Sequence, residues 1–362
     1  MLKVSQIFLG AILAGACAIP IKTVTEDKNM IPQPSPNEIQ VPIEGEMPSF
    51  EGATGWINSK PLTRDDLRGK VVLVEFWTYT CINWLRIQPY VRAWSEKYKE
   101  NGLVVIGVHT PEFEFEKSTD NVSRAASELR VGYPIAIDSE YRVWRAFSNR
   151  YWPALYFVDA QGRIRHHQFG EGEYEQSEKV IQKLLAEAGA VGVKLDLVSV
   201  NGTGYEVGAN WSDLGSPETY VGYGRTANFA SPGGMIPDKQ HTYELPAQLK
   251  LNNWGVGGDW TVKDSRSILN KANGRVAYVF HARDVHLVMS SSVHGTSVRF
   301  RVSVDGLPPG PAHGIDVDDQ GNGTISQPRL YQLIRQAKPI ADRRFEIEFL
   351  DPGVEVFVFT FG

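Results

Sequence analysis

The sequence has 362 residues, of which 42% are hydrophobic and 22% are charged, and its formal net charge is -5. A single hydrophobic core stops growing at about 250–300 residues, so the chain is expected to fold as two domains. Lys and Arg are interspersed with Asp and Glu without a basic stripe, which argues against nucleic acid as a partner.

Residues 1–17 have the pattern of a bacterial signal peptide. Lys3 precedes an apolar run over residues 4–13, and the small residues 14–16 lead to Cys17. Two outcomes stay open: cleavage of a secretory signal, or cleavage before Cys17 with lipid attached to its thiol. Both predict a location in the bacterial cell envelope, periplasmic or lipid-anchored, with membrane contact only through this segment.

Residues 18–47 are rich in Pro, Glu and Asn and are predicted to be a flexible linker. Residues 48–190 follow as an α/β domain. The predicted strands cover residues 55–58, 71–77, 103–108, 134–138, 154–158 and 163–166, and the predicted helices cover residues 84–98, 120–130, 143–147 and 174–188. A parallel crossover after residue 71 and a hairpin at the end indicate a central mixed sheet flanked by helices.

Past Gly189 the pattern changes to short alternating runs with many glycines and prolines. Residues 191–209 are predicted to be a linker, and residues 210–362 an all-β sandwich of jelly-roll type. One weak helix is expected near Arg329–Arg335.

Five aromatic residues of the second domain could form a platform for a sugar ring. They are Trp211, Tyr220, Tyr223, Trp254 and Trp260. Large aromatic side chains in a sandwich more often belong to the core, so glycan binding is one of two interpretations.

The chemistry of the first domain is expected at Cys81. The chain has two cysteines, and the first, Cys17, lies in the signal segment, so one thiol is left for redox chemistry. Cys81 falls between a buried strand and the following helix, where unpaired backbone N–H groups and the helix dipole favour a thiolate. We therefore expect Cys81 to be more acidic than a free cysteine, provided that its sulfur is exposed.

Several motifs carry a family resemblance. The strand with Phe76-Trp77, then Cys81 and the later Trp152-Pro153 resemble the thioredoxin superfamily, in its exported TlpA and redoxin branch. Residues 76–83 and 220–225 are similar to stretches of the soluble C-terminal region of DipZ-type proteins. The likeness runs from about residue 46 to residue 362, and in that family the second domain is carbohydrate-module-like.

The resemblance implies roles for individual residues. It implies a cis peptide bond before Pro153, which faces the active cysteine, and a buried acid at Glu75 that relays a proton. It implies a thiol oxidoreductase without a cofactor, whose partners are protein thiols and disulfides or a low-molecular-weight thiol. Trp77, Thr78, Trp152 and Pro153 are then expected to contact the substrate, Pro153 through backbone pairing to a bound peptide.

One position departs from the family pattern. The family has Cys-x-x-Cys, whereas here the fourth position is Trp84, which we expect to line the substrate site instead. Without a resolving thiol, three interpretations stay open: a one-cysteine exchange cycle resolved by another thiol, oxidation of Cys81 by peroxide, or a catalytically silent binding module. The peroxidase interpretation is weak because Val74 stands where the peroxiredoxin pattern has Pro.

Three polar residues follow the strand at 103–108. His109 and Glu112 are predicted to line the site because ligands of open α/β sheets bind at this edge, whereas Glu116 is expected in an exposed polar loop. No metal site is predicted. Residues 316–322 imitate the start of a calcium loop, but Gln327 stands where the closing Glu would be.

Overall fold

The computed structural model describes residues 39–292 and 295–362. The predicted signal segment, Cys17 and most of the predicted linker lie outside the described residues. The chain divides after Gln40, and Val41–Gly362 is one unit that holds two sheets. None of the helices within the described ranges has the length and apolar character needed to cross a bilayer.

The first sheet has seven strands. They are β1 (Gly45–Glu46), β2 (Gly55–Ile57), β3 (Val71–Trp77), β4 (Leu103–His109), β5 (Ile135–Ile137), β6 (Ala154–Val158) and β7 (Arg163–Phe169), in the order β1-β7-β6-β3-β4-β5-β2. β4 runs parallel to β3 and β5, whereas β6 is antiparallel to β3. The predicted mixed sheet is therefore confirmed.

Four helices accompany this sheet: α1 (Ile82–Tyr98), α2 (Thr119–Glu128), α3 (Arg142–Ala146) and α4 (Tyr174–Glu187). The turn after α1 closes at Gly102, whose φ of 97° lies in the left-handed region that glycine adopts without strain. All seven residues of β3 are buried, as expected for a central strand covered on both faces. The chain leaves this strand at Trp77 and reaches Cys81 after a short turn.

The second sheet has eleven strands. They are β8 (Thr219–Tyr220), β9 (Gln240–Tyr243), β10 (Trp254–Val262), β11 (Ser267–Leu269), β12 (Gly274–Phe280), β13 (Asp284–Ser291), β14 (Val298–Val304), β15 (Asn322–Ile325), β16 (Arg329–Arg335), β17 (Arg343–Phe349) and β18 (Val354–Phe361). Their main order is β15-β14-β17-β12-β10-β11-β18-β13-β16, with β8 paired to β18 and β9 to β10. The prediction of an all-β second region is confirmed.

The eleven strands form one sheet that curls on itself, because β10 serves both of its halves. Residues 254–257 of β10 pair with β12, whereas residues 258–261 pair with β9. The change occurs at Gly258, which has a φ of 102°, and a Cβ there would lie 3.0 Å from the Cα of Gly274. A side chain at this bend would strain the backbone and crowd the neighbouring strand.

The helix predicted near Arg329–Arg335 is wrong, since this segment is strand β16. It pairs with β13, from Arg329 opposite Met289 to Arg335 opposite Asp284. Residues 330–334 are all buried, so both faces of the strand are covered. A strand covered on both faces has no alternation of polar and apolar residues, which is why its pattern could be mistaken for a helix.

The two sheets meet at α1 and at the loop after β4. The guanidinium of Arg86 on α1 lies 2.9 Å from Glu171 and also donates to the carbonyl of Phe361 in β18, at 3.3 Å. The rings of Phe113 and Phe115 each lie 4.9 Å from that of Phe357 in β18. The predicted linker 191–209 lies against the first domain, where Val198 N donates to Glu178 of α4 at 2.8 Å.

Candidate active site around Cys81

Cys81 lies directly before α1, at the end of the turn that follows strand β3. Its backbone N–H donates to the carbonyl of Thr78 at 3.2 Å, and its own carbonyl accepts from Leu85 N at 3.0 Å. The residue as a whole is partly exposed, and its side chain is a free thiol. Its Sγ lies 3.8 Å from the carbonyl oxygen of Trp152, to which the S–H donates.

The segment opposite the thiol has the expected backbone. The peptide bond between Trp152 and Pro153 is cis, which confirms the prediction. The indole N–H of Trp152 donates to the carbonyl of Thr110 at 3.1 Å, and its ring packs 4.3 Å from that of Trp144. Trp152 is half-buried. Its carbonyl accepts from the Cys81 thiol and its indole N–H donates to Thr110, so it connects the thiol to the loop that follows β4.

Trp84 fills the position of the missing second cysteine and is completely buried. Its ring stacks on that of Trp77 with centroids 4.2 Å apart, and its indole N–H donates to Glu75 Oε1 at 2.9 Å. Trp77 is equally buried. Substrate contact was predicted for both tryptophans, but in this arrangement neither side chain offers an exposed surface.

Glu75 is a buried acid, as the family resemblance implied. Besides the indole of Trp84, the hydroxyl of Tyr133 donates to its carboxylate at 2.6 Å. Burial raises the pKa of Glu75 to about 7, although both hydrogen bonds act in the opposite direction. The donors to this acid are an indole and a phenol in place of a thiol.

His109 and Thr78 lie in the interior, away from any surface that a substrate could reach. The imidazole of His109 is fully buried, with the ring of Tyr79 stacked at 5.7 Å and that of Trp77 edge-on at 4.8 Å. Burial lowers the pKa of His109 to about 3, so the ring is neutral at physiological pH. Thr78 is also fully buried.

Glu116 was expected in an exposed loop, and this prediction is wrong. Its carboxylate is completely buried and accepts hydrogen bonds from the hydroxyl of Thr80 at 2.6 Å and from the backbone N–H groups of Glu112 and Phe113 at 2.7 and 2.9 Å. Burial nevertheless raises its pKa to about 7. Glu116 thus closes the loop after β4 and fixes the backbone of Glu112.

The prediction of an acidic Cys81 is also wrong. Burial raises the pKa of the Cys81 thiol far above that of a free cysteine, and the charges of Glu112 and Glu218 raise it further. The backbone N–H groups of Asn83 and Trp84 act in the opposite direction, as the position at a helix start implies. Desolvation and two carboxylates outweigh the helix start, so the resting sulfur is a thiol.

Three side chains of the second domain reach this site, and the sequence analysis did not assign them to it. The hydroxyl of Tyr220 lies 2.7 Å from Glu112 Oε1 and 3.1 Å from Glu218 Oε2. Arg225 donates to Glu112 at 2.8 Å, and its guanidinium lies 3.6 Å from the centre of the Tyr220 ring. The signal was the family-like stretch 220–225, which was noted for its resemblance alone.

The proposed aromatic platform in the second domain is not formed as predicted. Trp254 and Trp260 are fully buried in the core of the second sheet, and Tyr220 is engaged at the first domain. Trp211 is 63% exposed. Two of the five aromatic residues are therefore core side chains, and glycan binding stays a prediction that rests on the others.

Two family models match the chain, one in each of its two regions. The model of the AhpC/TSA family matches residues 43–167, and a model described as thioredoxin like C-terminal domain matches residues 216–362. The protein DipZ of Mycobacterium tuberculosis is 36% identical over 326 residues, which is 88% of this chain but 43% of DipZ. The chain therefore spans less than half the length of that relative.

Two further relatives match the first domain. The thiol-disulfide oxidoreductase YkuV of Bacillus subtilis is 34% identical over 142 residues, which is 39% of this chain and 95% of YkuV. The solution structure of a thioredoxin-like protein in the oxidized form is 33% identical, with a TM-score of 0.37, and covers 40% of this chain and 96% of that one.

Proposed function

Because the chain belongs to the thioredoxin superfamily, we propose that it is a thiol oxidoreductase of the bacterial cell envelope that reacts through Cys81 alone. One observation carries the proposal. Cys81 is a partly exposed residue with a free thiol at the start of α1, it faces the cis peptide bond before Pro153, and Trp84 occupies the position of a resolving cysteine. The name of YkuV, a thiol-disulfide oxidoreductase, supports the same class of reaction.

The proposed cycle has two exchange steps. In the first, the thiolate of Cys81 attacks a substrate disulfide, a mixed disulfide with one half forms, and the other half leaves as a thiolate that takes up a proton. In the second, an external thiolate attacks the substrate sulfur of that mixed disulfide and releases the Cys81 thiolate with a new disulfide. Protein disulfides of the envelope, or a low-molecular-weight disulfide, are the proposed substrates.

The envelope location rests on the N-terminal pattern of residues 1–17. Whether Cys17 carries lipid or the segment is removed decides between a lipid-anchored and a periplasmic protein. In either case the disulfide substrates would be those of an oxidising compartment.

Trapping of the mixed disulfide tests the proposal. The reduced, folded protein is mixed with glutathione disulfide, and intact mass measurement with peptide mapping is expected to place one glutathione on Cys81. Added dithiothreitol should then regenerate the thiol. The Cys81→Ser variant provides the matched control, since it should carry no adduct at this position. An unmodified Cys81 in the folded protein, together with an adduct in urea, would overturn the proposal.

A second candidate function is a thioredoxin-fold binding module without redox chemistry. Two observations favour it: Trp84 fills the site of the second thiol, and burial with two nearby carboxylates raises the pKa of Cys81. This candidate predicts that Cys81→Ser retains every binding partner that the natural protein captures from envelope extracts. Redox partners held by a mixed disulfide would instead disappear in that variant.

A further inference from the structure

A cavity of about 290 Å³ lies where the two domains and the segment between them meet. Its wall comes from Tyr79 and the helices α1 and α2 of the first domain, from Tyr205 of the segment 191–209, and from residues 315–316 and 327–330 of the second domain. Cys81 does not line this cavity, so the cavity is distinct from the thiol site described above.

Much of the wall is apolar, and both domains contribute to it. The apolar lining residues are Leu85, Ala125, Leu129, Ile315, Pro328 and Leu330. Sites for small molecules are typically lined by such side chains together with a few polar groups that fix the orientation of the ligand. At about 30 Å³ for each atom of the size of a water molecule, the cavity has room for about ten non-hydrogen atoms. Its size and lining therefore suit a small molecule with a hydrocarbon part.

Two polar groups of the wall have unused hydrogen-bonding capacity. Tyr79 is only 3% exposed, and its buried hydroxyl has no hydrogen-bond partner within the described ranges, while its ring is stacked on that of His109 at 5.7 Å. The Nε of Arg124 on α2 is also buried and makes no hydrogen bond to a described residue, since Oε1 of Glu128 lies 3.9 Å away. Buried polar groups are usually paired, so these two donors mark a place where a ligand can bind.

The other charged groups of the cavity are already engaged or lie in solvent. Arg329 donates to Oδ1 of Asp316 at 2.6 Å, and the backbone N–H of Gln332 donates to Oδ2 of the same carboxylate at 2.7 Å. The side chain of Glu128 is 50% exposed, so water solvates its charge. Arg124 is therefore the cation of this wall with a buried donor to offer, and its complement is an acceptor that carries negative charge.

We propose that this cavity binds a small carboxylate with a short hydrocarbon chain, and that the carboxylate accepts from Arg124 and Tyr79 while the chain lies on the apolar wall. Both donors suit a carboxylate, which has two oxygens and accepts charge-assisted hydrogen bonds from a guanidinium. An alcohol gains less from the guanidinium, and an ammonium leaves both donors unpaired. The proposal goes beyond the proposed function and does not depend on the chemistry of Cys81.

Hexanoate is the probe, and hexanol and hexylamine are its uncharged and cationic counterparts with the same chain. Binding to the full chain is measured at about pH 7.5 by titration, with the line widths of the probe followed by NMR. We expect hexanoate to bind with a Kd of about 1 mM or lower. Hexanol and hexylamine should bind at least about tenfold more weakly.

Two variants place the binding in this cavity. Arg124→Met keeps an apolar stem but removes the charge, and should weaken hexanoate binding at least about tenfold. Tyr79→Phe should weaken it about three- to tenfold and should not lower the urea midpoint of unfolding, because the hydroxyl has no partner in the part of the fold that the structure describes. Arg145→Met, at an exposed position of α3, is the matched control and should bind hexanoate as the natural protein does.

The outcomes decide between this site and unspecific binding. Weaker hexanoate binding in both cavity variants, with urea midpoints that show both to be folded, supports the proposal. No binding of hexanoate at about 20 mM overturns it. Hexanol or hexylamine that binds as tightly as hexanoate overturns the carboxylate assignment, and an unchanged affinity in either cavity variant overturns the assignment to this cavity.

Discussion

The indole N–H of Trp84 donates to Oε1 of Glu75 over 2.9 Å, inside the first domain. The family resemblance pairs the buried acid with a second thiol, so the residue that replaces this thiol has become the donor to the same acid. The stack of Trp84 on Trp77 fills the space around it. The position of the second cysteine is thus filled by a side chain that packs on Trp77, and the carboxyl that would have served the thiol accepts from Trp84 and Tyr133 instead.

Trp84→Phe should isolate the contribution of this hydrogen bond. The variant keeps an aromatic ring beside Trp77 but leaves Glu75 with Tyr133 as its donor. A hydrogen bond to a charged group contributes about 1.5–3 kcal/mol, so the free energy of unfolding should fall by that amount at about pH 8, where Glu75 is ionised, and by less at about pH 5. Urea denaturation at the two pH values measures the effect.

Trp94→Phe is the matched control for that variant. The indole of Trp94, on the same helix, donates to Glu178 at 3.2 Å, but Glu178 also accepts from Lys97 and Tyr98. Its loss should lower the free energy of unfolding by a similar amount at both pH values. Equal losses at both pH values for Trp84→Phe would contradict the role given to Glu75.

Glu75→Gln should change the pH dependence of stability. The pKa of Glu75 is about 7 in the folded protein against an ordinary value of 4.5. Between these values the folded protein binds more protons than the unfolded chain, so the free energy of unfolding falls as the pH rises from 4.5 to 7 and stays low above it. Gln does not ionise, so the free energy of unfolding of the Glu75→Gln variant should not fall for this reason as the pH rises.

The measurement for Glu75 is a difference between two unfolding curves. Glu116 and Glu218 also have raised pKa values, but they are present in both proteins, and their contributions cancel. From about pH 4.5 to about pH 8 the variant should gain about 3 kcal/mol relative to the natural protein, the equivalent of a pKa raised by about 2.5 units. If the free energies of unfolding of the two proteins changed with pH in the same way, the pKa of Glu75 would not be raised in the folded protein.

Local sequence patterns predicted most of the first domain because its elements are strongly periodic. The apolar run at 71–77, which follows a glycine at position 69, indicated a buried strand, and the helices at 84–98 and 174–188 have apolar faces. The cis bond before Pro153 followed from the family resemblance. Element type depends on neighbours within a few residues, and such information is present in the sequence.

The electrostatics of the site could not be predicted in the same way. The helix start at Cys81 is visible in the sequence and favours a thiolate, but the opposing carboxylates are 31 and 137 residues away along the chain, at Glu112 and Glu218. Glu116 looked like a loop residue because its three donors come together only when the loop folds. A pKa depends on the three-dimensional neighbourhood, which one sequence does not give.

Trp84→Cys should restore the missing pair of thiols. In the reduced protein the substitution leaves a cavity beside Trp77 and removes one donor to Glu75, so the free energy of unfolding should fall by about 3–5 kcal/mol. Under oxidising conditions Cys81 and the new cysteine should form a disulfide, which thiol counting by mass labelling detects. Trp84→Ser leaves a comparable cavity without a thiol. An oxidised Trp84→Cys protein that keeps both thiols free would contradict the prediction.

Gly222→Ala should test whether the stretch 220–225 acts through its backbone. A Cβ at Gly222 would lie 2.4 Å from both Arg266 N and Asp264 O, so the turn after β8 has no room for a side chain there. We expect the free energy of unfolding to fall by about 1–3 kcal/mol, and Tyr220 to lose its position against Glu112. Gly208→Ala, where nothing lies within 4 Å of the added Cβ, is the control and should change stability little.

The buried ion pair of Arg86 and Glu171 should respond differently to single and double substitution. Their side chains are 1% and 5% exposed, so Arg86→Met leaves a buried carboxylate without its partner and should lower the free energy of unfolding by about 3–5 kcal/mol. Arg86→Met combined with Glu171→Met removes both charges and should be less destabilised than the single variant, which urea denaturation measures. Part of the loss should persist, because Arg86 also donates to the carbonyl of Phe361 in the second sheet.

The ion pair of Arg68 and Asp65, whose side chains are 82% and 85% exposed, supplies the control. Arg68→Met should change the free energy of unfolding by less than about 1 kcal/mol. A double variant as unstable as Arg86→Met would mean that the bond to Phe361, and so the contact between the sheets, contributes more than the ion pair.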